Sequence, residues 1–371
     1  MNTSEKFTIE SFDLKGFWQE NENCFKRFST DKPRAALNMI LCDHFLMNLI
    51  PMESTVRYYT DPAYALTVHK QANDVLEREI GIRYFSEDSY YYIKGAFEVQ
   101  MGTKRIINEG NTPWLESEVE DIDDVKVIIK YAEKWDAKSM AIADDWLEAK
   151  ENLRNDHGKR LLFAHGPNGP ATVAGNMLGI MNTCMFMMEE PEVMDDFFSI
   201  IADKYIEFYE AAMLEDNGVI RRDSLGVNDD NCYIFPPAQY KRFCVPYLKK
   251  MFDAFAPLSE HLRRQHSDSA MGHLMVYLND LGVNEVNLGP EIHPSEIREK
   301  IPKAVIHGQM PPAVLKNGTP REIASYVQRD FECIGKDGGL VESPAGVVQE
   351  STPLENIRAY MHAVHTLTRY N

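Results

Sequence analysis

Residues 285–330 read EVNLGPEIHPSEIREKIPKAVIHGQMPPAVLKNGTPREIASYVQRD, and the fold turns on this stretch. Two short β-like runs, Glu285–Leu288 and Ala304–His307, are each followed by a helical pattern. Gly318-Thr319-Pro320-Arg321-Glu322 then sets Thr as helix cap, Pro at the first position and Glu at the third, opening a helix over 319–333. Strand, helix, strand, helix is the order that builds a parallel sheet wrapped by helices.

The same alternation extends in both directions. Further strands are expected at Leu161–His165, Val219–Asp223, His261–Asp268 and Gly339–Ser343, with helices over Pro191–Glu215, Pro237–Phe255 and Thr352–Leu367. The first 160 residues are less regular: a first strand at Arg34–Cys42, a helix at Asp61–Glu79, a Tyr- and Phe-rich meander at Arg83–Met101, and two helices within Asp121–Glu151. No repeat, low-complexity tract or linker marks a boundary, so 1–371 is expected to be one domain, with 1–35 as an N-terminal extension. The expected class is α/β, a (β/α)8 TIM barrel with an N-terminal elaboration.

The balance of 57 acidic against 39 basic residues gives a formal charge of -18, which repels nucleic acid and anionic membrane surfaces. The six cysteines form no Cys-x-x-Cys pair, which fits a reducing compartment. Met1–Lys6 lacks the basic and apolar segments of a signal peptide, and Ala35–Met52 is interrupted by Asp43, His44 and Asn48. A cytoplasmic protein is expected. The methionines Met181, Met185, Met187 and Met188 read as core packing.

In a parallel barrel the reacting groups gather at the C-terminal strand ends, where the βα loops converge. Those ends carry His44, His165–Asn168, Asp223, Asp229, Asp230, His266, Asp268, Asn287–Glu291, His307–Gln309 and Glu342. Tyr90, Tyr91, Tyr92, Phe97, Trp114 and Tyr233 offer ring surface for a small aromatic ligand. The turn Gly166–Pro170 lacks a P-loop lysine and a dinucleotide glycine spacing, so it is read as backbone geometry.

Several segments resemble the superfamily of uroporphyrinogen decarboxylase and the methyl-corrinoid methyltransferases. These are Gly166-Pro-Asn-Gly-Pro170 with Leu178-Gly179 and Glu190-Pro191-Glu192, then Asp223-Ser-Leu-Gly226 with Phe235-Pro-Pro237 and Tyr240–Pro246. His307-Gly-Gln-Met-Pro311 before Gly318-Thr-Pro320, and Gly338-Gly339 through Thr352–Asn356, complete the set. The decarboxylases open with an arginine-rich segment for a polycarboxylate substrate; residues 30–60 offer only the arginines Arg34 and Arg57. The resemblance therefore points to the methyltransferase side, whose members use zinc held by His-x-Cys at the fifth strand and a Cys near the eighth. Here those positions read His266-Ser267-Asp268 and Gly346.

Carboxylates in place of thiolates make a harder metal site, better matched to an oxygen donor than to a coenzyme thiol. The resemblance implies transfer of a methyl group from a small O-methyl donor, a methoxylated aromatic foremost, to Co(I) of a separate corrinoid protein. On this reading zinc is held by Asp268, His307 and Glu342, with His266 as alternative ligand or as the group that orients one. Asp229 and Asp230 supply an acid or a hydrogen bond to the donor, though both also read as a solvated loop. Tyr91, Trp114, His165, Asn168, Tyr233, Asn287 and Gln309 are the candidate substrate contacts, and a homodimer is compatible with the chain. Two other readings stay open: a decarboxylase using Asp43, and a barrel that binds a corrinoid protein or small ligand without turnover.

Overall fold

The structure, a computed structural model, describes residues 12–137, 144–163 and 166–370. They fall into two compact units, one within residues 12–51, 71–85 and 285–370, the other within 52–70 and 86–284. Among the described residues the strands are β1 Ala36–Leu37, β2 Ser89–Tyr91, β3 Lys104–Ile106, β4 Trp114–Glu116, β5 Arg160–Leu162, β6 Ser224–Asn228, β7 Leu262–Ser267, β8 Glu285–Leu288, β9 Val305–His307 and β10 Leu340–Glu342.

In the first unit β1, β10, β9 and β8 pair side by side, all parallel. Helices 320–330 and 354–367 cover them, and Leu37, Ile323, Val327, Ile357 and Val364 form a buried core between the layers. The expected cap at Thr319 is present: its hydroxyl accepts from the Glu322 N–H, and the Glu322 carboxylate accepts from the Thr319 N–H at 2.7 Å. The expected first strand is much shorter than the span 34–42, with isolated bridges at Arg34 and Leu41 flanking β1.

In the second unit β6 and β7 pair in parallel, β2 and β5 pair in parallel, and β3 and β4 form an antiparallel hairpin. The helix Pro191–Asn217 begins on Pro191 and stops at Gly218, whose φ of 70° takes the left-handed cap that glycine tolerates. The expected strand Val219–Asp223 is displaced: residues 219–223 are the link out of that helix, and the strand itself is β6. Asp223 consequently precedes β6 and lies away from its C-terminal end. The helical span Pro237–Phe255 holds, with a π turn at Tyr240–Cys244 just before Pro246, whose missing N–H leaves a gap in the hydrogen-bond ladder.

The methionine expectation fails in part. Met187 is buried, but Met181, Met185 and Met188 are exposed at spacings of four and three along the helix Ile180–Glu189. No single helix among the described residues is long and apolar enough to cross a membrane.

Candidate active site

The register of β6 and β7 sets Asn228 opposite His266, so both chains leave the sheet at the same level. Immediately beyond, Asp230 opens a 3₁₀ turn and Asp268 follows the end of β7. The Asp229 N–H donates to the His266 carbonyl at 2.9 Å, and the Asp268 N–H donates to Asp230 Oδ1 at 3.1 Å. One ligand atom each of Asp230, His266 and Asp268 falls within 4.8 Å of the others. Asp230 and His266 are half-buried and Asp268 is exposed. Burial, followed by the neighbouring Asp268 charge, pushes the Asp230 carboxyl up to about 7.

Asp229, adjacent in sequence, has a different task. It is wholly buried, and its Oδ1 accepts from the Thr172 N–H at 2.8 Å in the first turn of the helix Pro170–Leu178. Helix N-terminal amides favour such a carboxylate, while burial pushes its carboxyl up to about 7. The approach needs Gly169, because a Cβ there would sit 2.4 Å from that of Asp229. The Gly166–Pro170 turn is thus backbone geometry, as read from the sequence.

Beside β6 lies a cavity of about 400 Å³. Gly166 and Asn168, which follow β5, line it together with Asn228, the last residue of β6. Phe97, Tyr205, Phe208 and Leu115 supply apolar wall, and Glu98 and Arg105 supply charge. Asn168 donates to Glu98 Oε1 at 2.8 Å and Asn176 to the same atom at 3.1 Å, so the buried Glu98 carboxylate is fixed in place. Asn168 thereby joins the cavity. Neither Glu98 nor Arg105 was singled out from the sequence: Glu98 is one of five charged residues in the Tyr- and Phe-rich segment 83–101, and Arg105 lies just beyond it.

Tyr91, Trp114 and Tyr233 are not among the residues that line this cavity. Tyr91 ends β2 beside Asp216, partly exposed, and does not line the cavity. Trp114 alternates with the lining residue Leu115 on β4, so its ring faces the opposite side of the hairpin and is 44% exposed. Tyr233 is exposed on the 3₁₀ turn. His165 lies outside the described residues. Asp43 begins the helix Asp43–Leu49.

In the first unit, Asn287 spans three backbone groups. Its Nδ2 donates to the carbonyls of His307 at 2.6 Å and Pro344 at 2.9 Å, and its Oδ1 accepts from the Gly346 N–H at 3.3 Å. Gln309 is buried, its N–H donating to Asp330 Oδ2 at 2.8 Å. His307 ends β9, but its Nε2 lies 3.2 Å from Glu285 Oε1, at the opposite, N-terminal end of β8. Glu342 is buried against the helix layer, where the Tyr360 hydroxyl donates to its Oε2 at 3.2 Å. Burial raises the Glu342 carboxyl well above its usual range, and the Asp330 charge adds to this. Among the described residues, the one group of His, Cys, Asp and Glu side chains close enough together to hold a metal is Asp230, His266 and Asp268, which shares Asp268 with the expected set of Asp268, His307 and Glu342.

A family profile described as uroporphyrinogen decarboxylase (URO-D) matches residues 93–367. The chain belongs to that family, and its fold is the family's (β/α)8 barrel. Among solved structures it is similar to a methyltransferase from Methanosarcina mazei, with a TM-score of 0.60 and 17% identity, over 95% of this chain and 98% of that one. No curated protein matches the sequence.

Proposed function

We propose that this family member is a methyltransferase that moves a methyl group from a small O-methyl donor, a methoxylated aromatic, to Co(I) of a separate corrinoid protein. The observation that carries the reading is the convergence of Asp230, His266 and Asp268 at the C-terminal ends of β6 and β7. Two carboxylates and an imidazole suit zinc, and three protein ligands leave a fourth position open to a donor oxygen. When bound there, the ion supplies Lewis acidity to the ether oxygen, whose departure as a basic phenolate is otherwise the obstacle.

The protein's own groups prepare that position. The Asp268 N–H fixes one oxygen of Asp230, and the β6–β7 ladder fixes the backbone of His266. Asp230 holds its proton up to about pH 7 in the metal-free protein, so loading the site displaces a proton. The cavity beside β6 orients the donor and excludes water from its ring.

The test is methylation of a reduced corrinoid protein by a panel of methoxylated aromatics, followed by loss of the Co(I) absorbance, with chelated and zinc-restored enzyme. Zinc-dependent transfer is the expected result. Metal-independent release of CO2 from a porphyrinogen would place the chain with the decarboxylases instead, and partner binding without either reaction would make it a binding barrel.

A further inference from the structure

Arg105 lies on β3 opposite Leu115 of β4, and both side chains line the cavity beside β6. The guanidinium is mostly withdrawn from water, and its Nε is buried with no hydrogen-bond partner. Among the described residues no carboxylate forms an ion pair with it. Glu98, the opposite charge that acts on it, is instead held by Asn168 and Asn176. A buried donor left unpaired destabilises the fold, the more so when it is charged. Such a group calls for an explanation, and a ligand that pairs with it supplies one.

We infer that Arg105 is an anion subsite, and that the cavity takes a small carboxylate whose apolar, ring-sized body lies against Phe97, Tyr205 and Phe208. The fork of the guanidinium matches a planar carboxylate through two parallel hydrogen bonds. A volume of about 400 Å³ admits a substituted benzoate. The Glu98 carboxylate in the same cavity disfavours a second negative charge and favours a hydroxyl or ammonium on the ligand. The inference rests on the proposed methyl transfer only in naming this ligand as the methyl donor: Asn228 lines the cavity two residues before Asp230.

The experiment is calorimetric titration of the metal-free protein with 3-methoxybenzoate and with its neutral analogue 3-methoxybenzamide, in the absence of any corrinoid protein. Wild type is expected to bind the benzoate at least tenfold more tightly than the amide. In Arg105→Gln the benzoate affinity falls ten- to a hundredfold, roughly the worth of a charge-assisted bidentate contact, and the amide affinity holds. Arg105→Lys, which keeps the charge and loses the fork, falls between them, and a thermal melt of each variant reports its folding. Equal binding of benzoate and amide, no saturable benzoate binding by wild type, or full benzoate affinity in Arg105→Gln would overturn the subsite. Binding without methyl transfer would leave the subsite standing and remove the proposed reaction; transfer from neutral donors alone would do the reverse.

Discussion

Glu342 ends β10 and is wholly buried in the fold. Successive side chains on a strand point to opposite faces, and this one points at Tyr360 and the helix layer. Burial lifts both Glu342 and the neighbouring Asp330, but Asp330 has Arg329 at 2.6 Å and the Gln309 N–H at 2.8 Å to hold its charge. Glu342 has only the tyrosine, so it is the group that keeps the proton. A carboxyl raised in the fold contributes its full stability below the ordinary value of 4.5 and loses it as pH rises toward its folded value. The Glu342 contribution to unfolding free energy should therefore decline from about pH 4.5 upward, by as much as about 1.4 kcal/mol per pH unit. Glu342→Gln should remove that component, as read by urea denaturation across pH; identical slopes in the two proteins would refute the assignment. At this scale the sequence named Asp230, His266 and Asp268 as candidates, yet their grouping depended on side-chain direction, which residue type does not reveal. Arg105 stayed hidden because nothing in a three-residue strand announces that its guanidinium lacks a partner.

Elements carry the site by where they end. The alternation of strands and helices from residue 160 onward was legible, including the capped start at Thr319 and the helix opening on Pro191. The strand before the site was legible only approximately. Val219 and Ile220 read as β-formers, but they sit in the link that follows Gly218, and β6 begins at Ser224. That shift puts Asp229 and Asp230 at the end of β6, which turns a supposed solvated loop into a helix cap and a half of the carboxylate pair. Asn287 belongs to this scale as well, because its amide ties β8 to the chain leaving β9 and to the turn after β10. Asn287→Ala deletes three buried hydrogen bonds and leaves their backbone partners unsatisfied, so it should cost about 3 kcal/mol of stability in denaturant titration. A substrate contact would behave oppositely, raising KM for the methyl donor with little change in stability.

For the whole molecule, the charge of -18 and the family's barrel leave the interior as the place where cations and anions are selected. The acidic surface concentrates divalent metal and repels small anions, so a carboxylate-bearing donor needs a local cation, the role inferred for Arg105. Asn228, the last residue of β6, lines the cavity, and Asp230 of the proposed metal group follows two residues later in the chain. The proposed methyl transfer requires that Asp230, His266 and Asp268 hold the ion. Its most direct measurement is zinc content after equilibration and desalting, by elemental analysis of wild type, His266→Ala, Asp268→Asn and Glu342→Gln, each confirmed folded by its thermal melt. The expected result is about one zinc per chain in wild type and Glu342→Gln, with loss in His266→Ala and Asp268→Asn. Retention of zinc by the His266 and Asp268 variants, or its loss from Glu342→Gln alone, would contradict it.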